Sequence, residues 1–281
     1  MEKIQDKTLY VVATPIGNLD EISKRAINVL SECKLYICED TRVSKKLLNL
    51  LNINLSNKIF ISANGFNEST KLKSLNLLDK KNAVLLSDAG YPSISDPGYL
   101  TINYFIENNW SIKVVNGPCS LIHAFVASGF GSTNFYFHGF LPNTKQKKIN
   151  ILKNFLSLKT ILIFFESVHR IKDTLNEIFK IYGENKIVSV CRELSKLNEH
   201  IYKGKIKDVL KIVFEKGEFV LLVDNRESKE NELNLYEVEN DLKRLILKGE
   251  KEKIACKMVA FKHNLKTNQI FKFWQEIKNK I

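Results

Sequence analysis

Apolar residues fall along this chain in short unbroken runs separated by longer amphipathic stretches. Five runs, "LYVVAT" (9–14), "LYICE" (35–39), "IFISA" (59–63), "AVLLSD" (83–88) and "IKVVN" (112–116), have the length and side-chain type of buried strands. Periodic or capped segments lie between them. One of these, "NLDEISKRAINVL", is expected to start on Asn18 as N-cap, with Glu21 three positions on as capping-box partner. Strands alternating with helix-length connections predict a mainly parallel sheet covered on both faces.

A second set of runs follows: "FYFHGF" (135–140), "TILIFFE" (160–166), "IVSVCRE" (187–193), "HIYKG" (200–204) and "FVLLVD" (219–224). The gap before "HIYKG" is too short for a helix, so that strand should pair antiparallel with its predecessor. "KGKIKDVLKIVFEKGE" should contain a short helix feeding the last strand. The expected organisation is α/β throughout: an N-terminal α/β domain over 1–117, a second α/β domain over 118–225, a polar linker over 226–241 and a helical extension over 242–281. In the extension, Ile254, Met258, Phe261 and Leu265 recur at helical spacing, which predicts a core-facing stripe.

Charge adds a partner class to this picture. The 281 residues carry a net charge of +12, and residues 241–281 alone contribute +7. Residues 144–160 add five lysines and no acid. Concentrated positive charge favours a polyanion through counterion release, although a chain rich in Lys, Asn and Ile can also be basic by compositional bias. No run approaches the eighteen apolar residues of a membrane span, and the N-terminal stretch lacks the pattern of a secretory leader, so a cytoplasmic protein is expected. The five cysteines are scattered with no CxxC pair, which points to reduced thiols rather than a disulfide framework or a metal site.

Ligands of open α/β sheets bind beyond the carboxyl ends of strands, so the loops there carry the chemistry. They read "TPIGNL", "EDTR", "SDAGYPSISDPG" and "NGPCS" in the first half, and "GFLPNTKQKK" and "ESVHR" in the second. In "SDAGYPSISDPG", Asp96-Pro97-Gly98 reads as the capped start of the next helix. Asp88 and Gly90 have no comparable structural reason and suit a ligand cradle. The Walker phosphate loop, the dinucleotide GxGxxG fingerprint, zinc spacings and the GxSxG elbow are all absent from the sequence. The residues alone therefore reach a two-domain α/β protein with a small-ligand cleft and a basic face.

At "VATPIGNLDEISKRAINVL", "CEDTR", "LLSDAGYPSISDPG", "GPCSLIHAF", "GFLP", "FFESVHR" and "CRELSK" the sequence resembles the tetrapyrrole methylase superfamily. Within it the likeness is to the bacterial branch that methylates a cytidine ribose 2′-oxygen in 16S ribosomal RNA. The motifs are collinear from about residue 8 to 224, and the basic extension is similar as well. The sequence departs from the family at Tyr91, usually threonine, and at Asn116 and Val168, both usually proline. Tyr91 could narrow the cofactor pocket or point outward.

The resemblance implies S-adenosylmethionine in a cleft between two domains, a homodimer, and the small ribosomal subunit as partner rather than DNA or a membrane. Cofactor contacts are expected at Pro15, Asp88, Ala89, Gly90, Pro118, Ser120 and Phe165, with Glu166 facing the same pocket beside Phe165. Glu39, Asp40 and Arg42, with Glu166, His169 and Arg170 from the other half, are expected on the RNA side, where arginines suit phosphates and a carboxylate or histidine suits the ribose hydroxyl. Asp40 could instead cap the next helix, with Arg42 as its surface ion pair, and "ESVHR" could be a helix start with a solvated Arg170. Lys145, Lys147 and Lys148 read as a phosphate-steering cluster. No metal ligand set is expected, and the general base stays unassigned; it could be water or none. A small-molecule methyltransferase of the same superfamily and a non-catalytic RNA-binding assembly protein are the two alternative readings.

Overall fold

The computed structural model describes residues 7–64, 68, 81–226, 235–263, 265 and 267–278. The first sheet is built from β1 (Thr8–Val12), β2 (Leu35–Cys38), β3 (Ile59–Ser62), β4 (Asn82–Leu86) and β5 (Ser111–Val115), in the order β3-β2-β4-β1-β5 and parallel throughout. Alternate residues of each strand serve opposite faces. Tyr10, Val12, Tyr36, Cys38, Val84 and Leu86 pack under α1 (Lys24–Glu32) and α2 (Thr41–Leu50), whereas Leu9, Val11, Ile37 and Leu85 meet Phe105 of α3 (Tyr99–Glu107) and Trp110. That two-sided burial is why these strands are continuously apolar.

The first helix starts later than expected. Asn18 accepts a hydrogen bond from the Asp20 amide at 3.1 Å and closes a single 3₁₀ turn over Leu19–Glu21, with no capping box. Ile22 is extended, and α1 begins after Ser23, whose hydroxyl accepts the Ala26 amide at 3.1 Å. Ser23 is the better placed cap because it puts Ala26, Val29 and Leu30 on the buried face.

The second sheet contains β6 (Phe135–Phe140), β7 (Ile161–Glu166), β8 (Ile187–Arg192), β9 (His200–Lys205) and β10 (Phe219–Asp224), in the order β6-β7-β10-β8-β9. The β8–β9 pair is antiparallel as expected, but β10 also lies antiparallel between β7 and β8, which leaves β6–β7 as the one parallel pair. One face packs against α5 (Lys145–Asn154), α6 (Ile171–Tyr182) and α7 (Ile206–Ile212), and the other against α4 (Ser120–Ser128). Both sheets belong to one compact unit ending at Arg226.

The second unit holds α8 (Leu235–Leu247), α9 (Glu252–Lys262) and α10 (Thr267–Lys278). The expected linker is helical from residue 235, and its residues 227–234 lie outside the described residues. The stripe is corrected too. Ala255, Cys256, Val259 and Ala260 form the buried face of α9, while Ile254 and Met258 are about half exposed and Phe261 is 91% exposed. Only Leu265 of the four packs against this core. Small residues face inward because α8 and α10 approach α9 closely, which leaves no room for the larger side chains.

Candidate functional site

The loops at the strand ends of both sheets meet around a cavity of about 410 Å³. Its apolar wall includes Ile16, Phe165, Leu194 and Val220, and Asp96, Glu166 and Glu218 bring carboxylates to it. A size in the range of ordinary ligand sites and a mostly apolar lining with few acids suit a small organic cation. A second, more open recess of about 720 Å³ shares Ile16 and is lined by Tyr91, Asn116, Gly117, Pro118 and His123 among others.

The expected cofactor residues divide between these spaces. Ala89, Ser120 and Phe165 line the first cavity, Pro118 lines the second, and Pro15, Asp88 and Gly90 line neither. Gly90 has a structural reason after all. Its φ of +76° requires glycine, and its amide and carbonyl bond reciprocally to Thr14 at 3.1 and 2.9 Å. Those backbone groups are spent on tying β4's exit to β1's exit. Asp88 is likewise engaged, accepting the Asp40 amide at 3.2 Å.

Of the three departures from the family pattern, Val168 lines the first cavity, and Tyr91 and Asn116 meet each other. The Tyr91 hydroxyl lies 3.4 Å from Asn116 Oδ1 and accepts the Gly117 amide at 3.2 Å. Tyr91 thus shapes the second recess through the chain after β5, where a bulkier residue than Gly117 would press on the Ala13 carbonyl oxygen, 3.0 Å from the position of a Cβ.

The "EDTR" loop forms a chain of acids. The Asp88 amide donates to Glu39 Oε2 at 3.2 Å, so Glu39, Asp40 and Asp88 are linked backbone to side chain. Asp40 caps α2 by accepting the Arg42 amide at 2.8 Å and pairs with the Arg42 guanidinium at 2.7 Å. Hydrogen bonding from Arg42 lowers the Asp40 carboxyl to about 2, so it stays charged and is a weak base. Arg42 remains exposed over most of its surface. Burial raises the Glu39 and Asp88 carboxyls above their ordinary values; the charges of Asp88 and Asp40 add to the effect at Glu39, and the charge of Asp40 adds to it at Asp88.

The "ESVHR" loop is a helix start, with Arg170 at the N-cap of α6, but its arginine is drawn into a largely buried network rather than solvated. Glu166 is fully enclosed; it accepts the Ser167 amide at 2.9 Å and the Thr174 hydroxyl at 2.5 Å, and pairs with Arg170 at 2.7 Å. Arg170 also donates to the Leu141 carbonyl at 3.1 Å, to Ser167 Oγ and to Asn143 Oδ1, fastening the chain after β6 to the chain after β7. Its guanidinium is committed inward and is not a phosphate contact. Lys148 is corrected as well. It is buried and donates to Thr174 Oγ1 at 2.9 Å, so it serves this same network and leaves Lys145 and Lys147 as the exposed members of the lysine cluster. Lys145 stands 3.5 Å from Glu177, and His169 is exposed outside either recess.

Asp96 does not cap a helix, contrary to the expectation from the sequence. The N-cap of α3 is Gly98, at φ +137°, with no side-chain cap. The Asp96 carboxylate instead faces the first cavity. Burial, then the charges of Glu39 and Asp88, push it up to about 7. The Asp-Pro-Gly string concealed this, because it is also the local signature of a helix start. Glu218 on the same wall follows an unremarkable "EKG" and carried no signal in the sequence. Among the described residues, no group of three or more His, Cys, Asp or Glu could hold a metal ion, and no helix is long and apolar enough to cross a membrane.

Comparison with known proteins places this geometry in context. Residues 8–210 match the family model described as Tetrapyrrole (Corrin/Porphyrin) Methylases. The chain is 40% identical over 276 residues to the ribosomal RNA small subunit methyltransferase I of Mycoplasma genitalium, covering 96% of this chain and 99% of that protein. It is 37% identical to the protein of the same name from Halalkalibacterium halodurans, over 96% of this chain and 95% of that one. Among solved structures, cobalt precorrin-4 methyltransferase matches with a TM-score of 0.55 at 16% identity, over 77% of this chain and 94% of that one. Uroporphyrin-III-C-methyltransferase from Thermus thermophilus matches at 0.52 and 13%, over 78% and 96%. At those identities the likeness is one of fold.

Proposed function

Because the chain belongs to the tetrapyrrole (corrin/porphyrin) methylase family, we propose that it is an S-adenosylmethionine-dependent methyltransferase acting on ribosomal RNA. The finer reading is methylation of a cytidine ribose 2′-oxygen in 16S RNA of the small subunit. The observation that carries it is the strength of the likeness. Relatives named for ribosomal RNA are 35–41% identical to the chain, and those from Mycoplasma genitalium and Halalkalibacterium halodurans match over 96% of it, whereas the corrin and porphyrin enzymes are 13–16% identical over 77–78%.

The first cavity fits the cofactor. Ala89, Ser120 and Phe165 would hold it, and the carboxylates of Glu166 and Glu218 match a molecule bearing ammonium and sulfonium charges. When bound, S-adenosylmethionine supplies a methyl group on a positively charged sulfur. The chain's own residues then position and exclude water. The Glu166–Arg170 pair holds the chains after β6 and β7 in place, and the Gly90–Thr14 bridge holds the opposite wall.

On the RNA side, exposed Arg42, Lys145 and Lys147 suit phosphates. In α9, exposed Lys253 and Lys257 alternate with Ile254, Met258 and Phe261, a combination that suits a nucleic-acid backbone and its unstacked bases. A homodimer is part of this reading. It is supported by edge strand β6, which leaves Phe135, Tyr136 and Phe140 exposed, and sedimentation of the pure protein tests it. A ribosomal substrate places the work in the cytoplasm.

Transfer of labelled methyl groups to small ribosomal subunits, followed by nucleoside analysis, tests the reading. Methylated ribose on a cytidine is the expected product. Transfer to uroporphyrinogen and not to RNA would overturn it in favour of a small-molecule enzyme, and failure to bind S-adenosylmethionine would favour a non-catalytic RNA-binding protein.

A further inference from the structure

We infer that the Asp96 carboxylate is the group that takes the proton from the substrate hydroxyl during methyl transfer; this rests on the RNA-methylating reading above. The base for this reaction must reach the cavity, must have a free lone pair, and must not be held in its charged form by a cation. The carboxylates around the site can be compared on those three counts. Glu166 reaches the cavity but is enclosed and already accepts from Ser167, Thr174 and Arg170. Glu39 and Asp88 each accept a backbone amide and line neither recess. Asp40 is tied to Arg42, and Glu218 is paired with Lys196 at 2.9 Å. Asp96 lines the cavity and has no hydrogen bond or ion pair with any described residue.

The backbone holds it there at a cost. Ser93 and Ser95 both have positive φ, +70° and +65°, and Gly90 and Gly98 bracket them at +76° and +137°. Non-glycine residues in that region are strained, and such strain persists only where the surroundings enforce it. The Ser93 amide donates to the Pro97 carbonyl at 3.1 Å, closing the loop on itself beneath Asp96. Ser95 Oγ fills the space left by Gly139 of β6, 2.9 Å from where a Cβ would stand, so this first-sheet loop is seated directly on the second sheet. A helix start of the ordinary kind would have used Asp96 as a cap; this loop turns it into the cavity instead.

The charged groups facing Asp96 are all acids. Glu39 and Asp88 approach from the ends of β2 and β4, with Glu166 on β7 and Glu218 before β10 across the cavity; the cations Arg42, Arg170 and Lys196 are paired with Asp40, Glu166 and Glu218. This setting makes Asp96 a far better base than an exposed aspartate, with a midpoint near neutral pH. In the step, the hydroxyl O–H bond breaks and the proton passes to Asp96. The oxygen electron pair forms the bond to the methyl carbon, and the methyl–sulfur bond breaks with its pair going to sulfur, which becomes a neutral thioether.

Asp96→Asn in the full chain tests this, with Asp96→Glu beside it. In carboxyl-carbon NMR of the free protein, the signal lost in Asp96→Asn should titrate with a midpoint of about 7 in the wild type. S-adenosylmethionine affinity by calorimetry should change by less than about threefold, showing an intact cavity. In single-turnover methylation of small subunits, wild-type rates should rise about tenfold per pH unit below neutrality, and Asp96→Asn should be slower by about a hundredfold or more and lose that limb. Asp96→Glu should recover part of the rate with the limb displaced. An Asp96→Asn rate within about threefold of wild type, a retained acid limb, or a midpoint near that of free aspartate would each overturn the assignment. A wild-type protein that methylates no RNA would overturn the underlying reading as well, an outcome distinct from one in which wild type and Asp96→Asn methylate equally fast.

Discussion

Arg170→Met is the sharpest test of how the cavity wall is held. The substitution keeps much of the side-chain bulk but removes the guanidinium from Glu166, whose side chain is fully buried, at an ion-pair distance of 2.7 Å. Taking away one partner of a buried pair costs about 3–5 kcal/mol, because the remaining charge is left uncompensated. Two features moderate that figure here. Glu166 keeps its bonds from the Ser167 amide and the Thr174 hydroxyl, and the Lys148 ammonium lies only one hydroxyl further away, 2.9 Å from Thr174 Oγ1. The Arg170 bonds to the Leu141 carbonyl and Asn143 are lost in the other direction. The expected loss is therefore about 3 kcal/mol, at the lower end of that range. Urea unfolding in a Trp274→Phe background reads it, since Trp110 fluorescence then reports the unit that contains both sheets. Repeating Arg170→Met on top of Glu166→Gln should cost less than about 1 kcal/mol, because the side chain at position 166 then carries no charge for the loss of Arg170 to strand. A single-mutant loss below about 1 kcal/mol, or equal losses in the two backgrounds, would refute the claim that Arg170 compensates the buried Glu166 carboxylate.

Other outcomes follow from the same geometry. Gly90→Ala should destabilise by about 1–2 kcal/mol through its positive φ alone, since Ile16 Cγ2, at 3.5 Å, leaves room for a methyl group; an unchanged urea midpoint would contradict this. For the pH dependence of stability, Asp96 is an acid whose folded value is raised, so ionising it costs the folded state. Wild type should gain stability as pH falls from about 7 toward the ordinary aspartate value and Asp96→Asn should not, so the melting-temperature advantage of Asp96→Asn should shrink on acidification. In the C-terminal unit, Val259→Ala should cost about 1–2 kcal/mol and Phe261→Ala less than about 0.5, the reverse of what the sequence stripe suggests. Replacing Lys253 and Lys257 with Ala should lower the slope of log RNA affinity against log salt by about 0.7 for each phosphate no longer neutralised, and an unchanged slope would remove α9 from the RNA surface.

The central strands were legible because they are buried on two faces, so β1, β2, β4, β7 and β10 are nearly unbroken apolar runs whatever their neighbours are. Pairing was less legible. Nothing local to "FVLLVD" says that it inserts antiparallel between β7 and β8, since that depends on which edges the crossover helices leave open. Capping was misread at Asn18 and Asp96 for one reason: Asn, Asp, Ser and Gly serve equally in caps, turns and sites, and only the position of the following apolar face decides among them. The helical stripe at Ile254, Met258 and Phe261 failed similarly, because α9 has two candidate faces and the close approach of its neighbours selects the one with small side chains.

The order of motifs along the chain was enough to establish the two-sheet architecture and the family. What each polar side chain does was decided by partners far away in sequence. Glu166 and Lys148 look like a free acid and a surface lysine until Thr174 and Arg170 enclose them, and Asp96 looks like a cap until β6 seats its loop against the cavity. Burial and hydrogen bonding set the charge a group carries, and both are properties of the assembled fold that no single stretch of sequence contains.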